Sequence, residues 1–227
     1  MVDFEDHDAD LEPGHGTFSF DIANGACGFL TGVYVVDGML ASGTIELGMV
    51  VASDMDPQPG ISEGFDFPAL GGAVLLSAAD SRAGFTAFKF ATFPEFAELF
   101  QSRVDWHEDA RRGLAHHGRH VLTVDIAEPY VARALECAES TVRELAGEEA
   151  LDLAEVELLV ATASVPSFAD ALATRLGLPA ERVASCEDGH TAAPAFALES
   201  GRLPAAGTTL FVSAGAGITV AAAIYQA

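Results

Sequence analysis

Residues 17–54, TFSFDIANGACGFLTGVYVVDGMLASGTIELGMVVASD, read as a strand, a tight turn, a helix and a second strand, the order of an α/β fold. Thr17 to Ile22 alternates apolar and polar residues, which predicts a strand. Asn24 to Phe29 is a turn of small residues. Leu30 to Leu40 carries apolar residues at helical spacing, and Ser42-Gly43 ends that run. Leu47 to Ala52 reads as a short buried strand, followed by breakers from Asp54 to Gly60.

The same grammar continues outward. Ala73 to Ser77 and Gly84 to Phe93 are strand candidates, the former after a Gly71-Gly72 bend. Val121 to Ile126 predicts a short strand. Pro129 then opens an amphipathic helix to about Leu145, with Val131, Leu135, Val142 and Leu145 on one face. Val156 to Val160 reads as a strand and Ser164 to Leu176 as a helix stopped by Gly177. A small-residue helix is expected over Ala192 to Ser200. Strand Thr208 to Ser213 then passes through Ala214-Gly-Ala-Gly217 into a final strand, Ile218 to Tyr225.

At 227 residues the chain fits one domain or two half-sized lobes sharing a core. Eleven Lys plus Arg against 34 Asp plus Glu give a net charge of −23, while half the residues are apolar. That is a globular composition, and its charge argues against nucleic acid or an anionic membrane as partner, since both are bound through clustered cations. The N-terminus, MVDFEDHDADLEPGHG, lacks the basic flank and apolar core of a signal peptide. Three scattered cysteines, Cys27, Cys137 and Cys186, form neither a disulfide framework nor a zinc motif. A cytoplasmic protein with reduced thiols is the expectation.

Positive charge is concentrated in one place. Residues 94–120 hold Arg103, Arg111, Arg112 and Arg119, together with His107, His116, His117 and His120. The arginines suit the phosphates of CoA or phosphopantetheine, or the acidic helix of a carrier protein, but a solvated helix–loop surface is the simpler reading and the one favoured. His116 and His120 have the spacing of a helical metal pair, but no carboxylate or cysteine is placed to complete it, so no metal is expected.

Three further features could carry chemistry. Cys27 precedes a helix, whose N-terminus favours a thiolate, although cysteine is also a common small buried residue. His190, in Gly189-His-Thr191, stands in a loop where an imidazole can act as acid, base or donor, or simply face solvent. Gly215, Ala216 and Gly217 can present backbone N–H groups to an oxyanion, or form an ordinary hairpin turn.

Taken together, these segments resemble a condensing enzyme of the thiolase superfamily, most of all 3-oxoacyl-(acyl-carrier-protein) synthase III. DIANGACGFLTGVYVVDGMLASGTIELGMVVASD (21–54) resembles that family's nucleophile strand, turn and helix, and FPALGGAVLLSA (67–78) its next glycine-rich segment. LAEVELLVATASVPSFADALATRLGLPAERV (153–183) is similar to the strand, loop and helix that carry the family's histidine. DGHTAAPAFALESGRLPAAGTTLFVSAGAGITVAAAIY (188–225) is similar to its closing segment. The likeness covers most of 17–93 and 121–227. It implies a layered α/β/α thiolase-like fold: an acidic leader (1–16), a truncated N-terminal half (17–120) and a complete C-terminal half (121–227).

The departures shape the functional expectation. The family begins with two strands and their helices before the nucleophile strand, whereas a sixteen-residue acidic segment precedes Thr17 here. Either the fold is trimmed or a partner chain supplies the missing layer. Alignment through Asp21 and Gly28-Phe29 places Ala26 at the nucleophile position, with Cys27 one residue on. A one-residue shift at a helix start turns a side chain by about 100°. The family histidine becomes Thr162, which cannot serve as a protonatable partner, while His190 stands where relatives carry Asn or His.

Two functions follow. In the first, Cys27 accepts an acyl group from a CoA or carrier-protein thioester, with His190 at the carbonyl, residues 215–217 at the oxyanion and no bound cofactor. In the second, the chain is a non-catalytic or auxiliary subunit of a heteromeric ketosynthase-like complex. A homodimer, or a heteromer with a longer ketosynthase-like chain, is the expected assembly.

Overall fold

The computed structural model describes residues 18–54, 70–78, 83–108, 118–163, 165, 167–184, 191–192, 194–195, 198 and 203–227. Its centre is a four-stranded mixed sheet ordered β3-β8-β7-β6. β6 is Val156–Ala163, β7 Thr208–Gly215, β8 Thr219–Gln226 and β3 Gly84–Thr92. β6 and β7 run parallel, while β7–β8 and β8–β3 are antiparallel.

Helices cover both faces of this sheet. On one side lie α2 (Tyr130–Glu148) and α3 (Phe168–Leu176), which bury Leu159, Leu210, Val212, Val220 and Ile224. On the other lies α1 (Gly28–Ala41), against Val160, Phe211, Ala221 and Ala223. Beyond α1 sits a two-stranded ribbon of β1 (Leu47–Asp54) and β2 (Leu70–Ser77). Glycine brings the layers close: a Cβ on Gly32 of α1 would lie 2.9 Å from Val50 of β1. Order and layering bear out the expected α/β class.

Helix boundaries follow local chemistry. Gly177, at φ 75°, ends α3 in the left-handed conformation, as expected of a glycine stop. Pro129 precedes α2 as its N-cap residue. The buried face of α2 runs through Tyr130, Ala134, Leu135, Ala138, Val142 and Leu145. Val131, expected on that face, is instead exposed, at 38%, while Tyr130 beside it is fully buried.

Other expectations need correction. Residues 18–24 are not in a strand, and Phe18 and Phe20 both face solvent, without a ladder partner among the described residues. β1 is not buried on both faces: Val50, Ala52 and Asp54 point inward, while Leu47, Met49 and Val51 point out. Residues 94–120 are not helix and loop alone. A 3-10 turn over Pro94–Leu99 leads into β4 (Phe100–Glu108), paired antiparallel with β5 (Gly118–Ile126). His120 therefore sits in a strand, where i, i+4 helical spacing has no meaning. The boundary at 120 falls inside β5, and β3 from the first half joins the sheet of the second. α3 begins at Phe168, later than Ser164, and β6 extends to Ala163.

Candidate functional site

The site forms where the start of α1 meets the β7–β8 turn. Gly25–Cys27 makes one turn of 3-10 helix that runs directly into α1. Gly25 takes φ +48°, a left-handed conformation open to glycine. The turn is tied locally: the Cys27 amide donates to Asn24 O at 3.0 Å, and the Asn24 side chain donates to Thr31 Oγ1 at 2.9 Å. Thr31 Oγ1 in turn donates to Cys27 O at 2.8 Å.

Adjacent residues of this turn point to different places. Ala26 packs on Gly215, where a Cβ would lie 3.3 Å from the Ala26 nitrogen and 3.4 Å from its Cβ. Cys27 points down into the hairpin. Its Sγ lies 3.4 Å from the carbonyl oxygens of both Ser213 and Thr219, either of which can accept the S–H. Cys27 has no exposed surface. Burial pushes its thiol up to about 12, with the Ala221 amide opposing the shift, so the group is protonated at neutral pH.

Thr162 lies on the same face of the sheet. Its Oγ1 is 3.1 Å from Ser213 Oγ, and both side chains are buried. Cys27 and Thr162 thus meet through Ser213, one by its carbonyl and the other by its hydroxyl. These hydroxyls satisfy each other, and neither titrates in the range of a general base. Ala216 and Gly217 complete the turn between β7 and β8, with Gly217 at φ +108°. Tyr130 lies near both Cys27 and Cys137. It is fully buried, and its hydroxyl has no hydrogen-bond partner among the described residues; burial first, then these two thiols, push its phenol well above the usual range.

His190 falls outside the described residues, but its neighbour is placed. Thr191 Oγ1 donates to Gly25 O at 3.1 Å, and its methyl lies 3.4 Å from where a Cβ on Gly28 would stand. Asp54, buried at the end of β1, receives the Thr191 amide at 2.9 Å on one oxygen and the Ala192 amide at 2.8 Å on the other.

Sequence reasoning read Asp54 only as the start of a breaker. Counting by twos from Val50 and Ala52 puts Asp54 on the inward face, a signal that a buried carboxylate with partners was present. Of the arginines, Arg103 is exposed on β4 opposite Thr123, and the backbone of Arg119 pairs with His107. Arg111 and Arg112 lie outside the described residues.

No protein-family model matches the sequence, and neither does any curated protein. Solved structures do match. 3-Oxoacyl-(acyl carrier protein) synthase III from Pseudomonas aeruginosa PAO1 aligns over 91% of this chain and 67% of its own, at 20% identity and a TM-score of 0.74. The corresponding synthase from Aquifex aeolicus VF5 aligns over 93% and 68%, at 20% identity and 0.68. OleA of Xanthomonas campestris, solved as a cysteine-to-serine variant with lauric acid and lauroyl-CoA, aligns over 92% and 66%, at 15% identity and 0.70. The chain spans about two thirds of the length of each. The fold is that of these solved structures, and 3-oxoacyl-(acyl-carrier-protein) synthase III is what this chain resembles.

Proposed function

We propose that this chain is a non-catalytic subunit that pairs with a longer ketosynthase-like chain, and that Cys27 serves packing and not acyl transfer. The observation that carries this reading is the direction of Cys27, buried and aimed at two main-chain carbonyls with its thiol pushed up to about 12. A nucleophile needs the thiolate and a path for the thioester, and this setting opposes both. Ala26 occupies the spot facing Gly215, and a methyl group offers no nucleophile there. Thr162 supplies no proton exchange.

Pairing is supported by the outer face of the β1–β2 ribbon. Leu47, Met49, Val51 and Leu75 are each more than half exposed there, and an apolar face of that kind marks an interaction surface. The nature of the partner rests on fold analogy.

Acyl transfer through Cys27, from an acyl-CoA or a carrier-protein thioester, has one observation in its favour. Cys27 is the N-cap residue of α1, where the helix end favours a thiolate. Mass-tagged acyl-CoA donors separate the two readings. No adduct is expected on the purified chain under any donor. An adduct lost in Cys27→Ser would overturn the proposal. Native mass spectrometry after co-expression with neighbouring ketosynthase-like chains is expected to show a heteromer, and a chain that stays monomeric beside every one of them would also sink it.

A further inference from the structure

We propose that Asp54 is a positioning residue: its carboxylate latches the Thr191–Ala192 backbone and, through Thr191, holds the Gly25–Gly28 turn closed over Cys27. The inference rests on the reading that this turn and the glycine hairpin form the site, and it is independent of whether Cys27 ever carries an acyl group.

The geometry is a relay between three distant stretches of chain. Asp54 ends β1 on the inward face, in line with Val50 and Ala52. Its two oxygens accept from two successive amides, those of Thr191 and Ala192. Successive amides converging on one carboxylate fix both position and orientation of the peptide, and charge-assisted hydrogen bonds of this kind are about twice as strong as neutral ones. Thr191 passes the restraint on, because its hydroxyl donates to Gly25 O while its methyl packs beside Gly28.

Gly25 and Gly28 bracket Ala26 and Cys27, the two residues whose directions define the site. Gly25 is left-handed and carries no side chain to brace it, so the turn draws rigidity from what is bonded to it. Position 28 lies directly beside the Thr191 methyl, since a Cβ there would stand 3.4 Å from it, at van der Waals contact. Asp54 therefore acts on the site through Thr191 without touching it.

The test uses the full chain and a small alkylating reagent, with no acyl donor present. Labelling of the Cys27 peptide is measured against that of Cys137, which lies in the core on the opposite face of the sheet. Asp54→Asn keeps the shape but turns one acceptor into a donor facing an N–H. It is expected to raise the Cys27-to-Cys137 labelling ratio about tenfold, with faster hydrogen exchange at the Thr191 and Ala192 amides. Asp54→Glu keeps the carboxylate and is expected to recover most of the protection.

If Asp54→Asn does not fold, Thr191→Val carries the test: it removes the donation to Gly25 O but leaves the amides on Asp54. Cys27 labelling should then rise while those amides stay protected. An unchanged ratio in both variants overturns the proposal, as does a parallel rise at Cys27 and Cys137, which would report general loosening. An acyl adduct on Cys27 would sink the non-catalytic reading and leave this latch standing.

Discussion

Two antiparallel ribbons in this molecule are built from similar residues and meet different fates. β7–β8 is small and apolar, and every residue of β7 is buried. β1–β2 is also small and apolar, yet its residues alternate between the core and solvent. The cause is coverage. α2 and α3 close one face of β7–β8 and α1 the other, whereas among the described residues β1–β2 has α1 on its inner face and no element on its outer one. Apolar content shows that a strand can be buried; only the neighbouring layers decide whether it is.

The comparison breaks first at Phe211, in the middle of β7. Phe211 is fully buried and its ring sits 5.4 Å from Phe85 and 6.4 Å from Tyr225. Phe211→Ala is expected to cost about 3–5 kcal/mol, read as a fall in the denaturant midpoint without a change in slope. A loss below about 1 kcal/mol would mean that this face is far more loosely packed than described.

Cys27 sharpens the same contrast through pH. Its thiol is raised from 9.0 to about 12 in the folded chain, so the folded state holds its proton while the unfolded thiol ionises. Between those values the unfolded state binds fewer protons, and stability falls as pH rises. The contribution is fully present below about 9 and fades toward 12, with a slope of about 1.4 kcal/mol per pH unit. Subtracting the curve for Cys27→Ala isolates this limb from other alkaline titrations. Parallel curves from pH 9 to 11 would show that the thiol is accessible and ordinary.

How much of this was legible in the residues depends on what each signal encodes. The β7–β8 turn, the Gly177 stop and α2 were legible because each rests on local chemistry: glycine conformations and a period of 3.6. β4 was hidden because Arg103, Asp105, His107 and Glu108 sit in a strand whose pattern comes from pairing with β5. The strand expected over Thr17–Ile22 is absent from its described part, residues 18–22, for the opposite reason: an alternating pattern forms no strand without a ladder beside it, and none lies there among the described residues. The meeting of Cys27, Ser213 and Thr162 needed three elements to assemble. Which of Ala26 and Cys27 faces Gly215 depends on the phase of a single turn, and a string of small residues does not encode that.

The smallest expected effect on stability falls on the outer face of β1–β2, and there it is the most informative. The register sets Leu47, Met49, Val51 and Ser53 opposite Ser77, Leu75, Ala73 and Gly71, an exposed strip without a charge in a chain of net charge −23. Natural sheets keep exposed surfaces soluble with charged residues, so this strip is anomalous unless something covers it. Met49→Lys and Leu75→Lys place a charge at its centre while removing no core contact. Each is expected to change the unfolding free energy by less than about 0.5 kcal/mol, because both side chains already face solvent. Each should also abolish the heteromer that the proposal expects in native mass spectrometry, since an unpaired charge buried in an apolar interface costs several kcal/mol. If both variants pair as well as the parent chain, the partner docks elsewhere and the bare face of β1–β2 has another explanation. If both lose more than about 2 kcal/mol of stability instead, the strip is covered within the chain itself, and the two ribbons differ less than their exposures say.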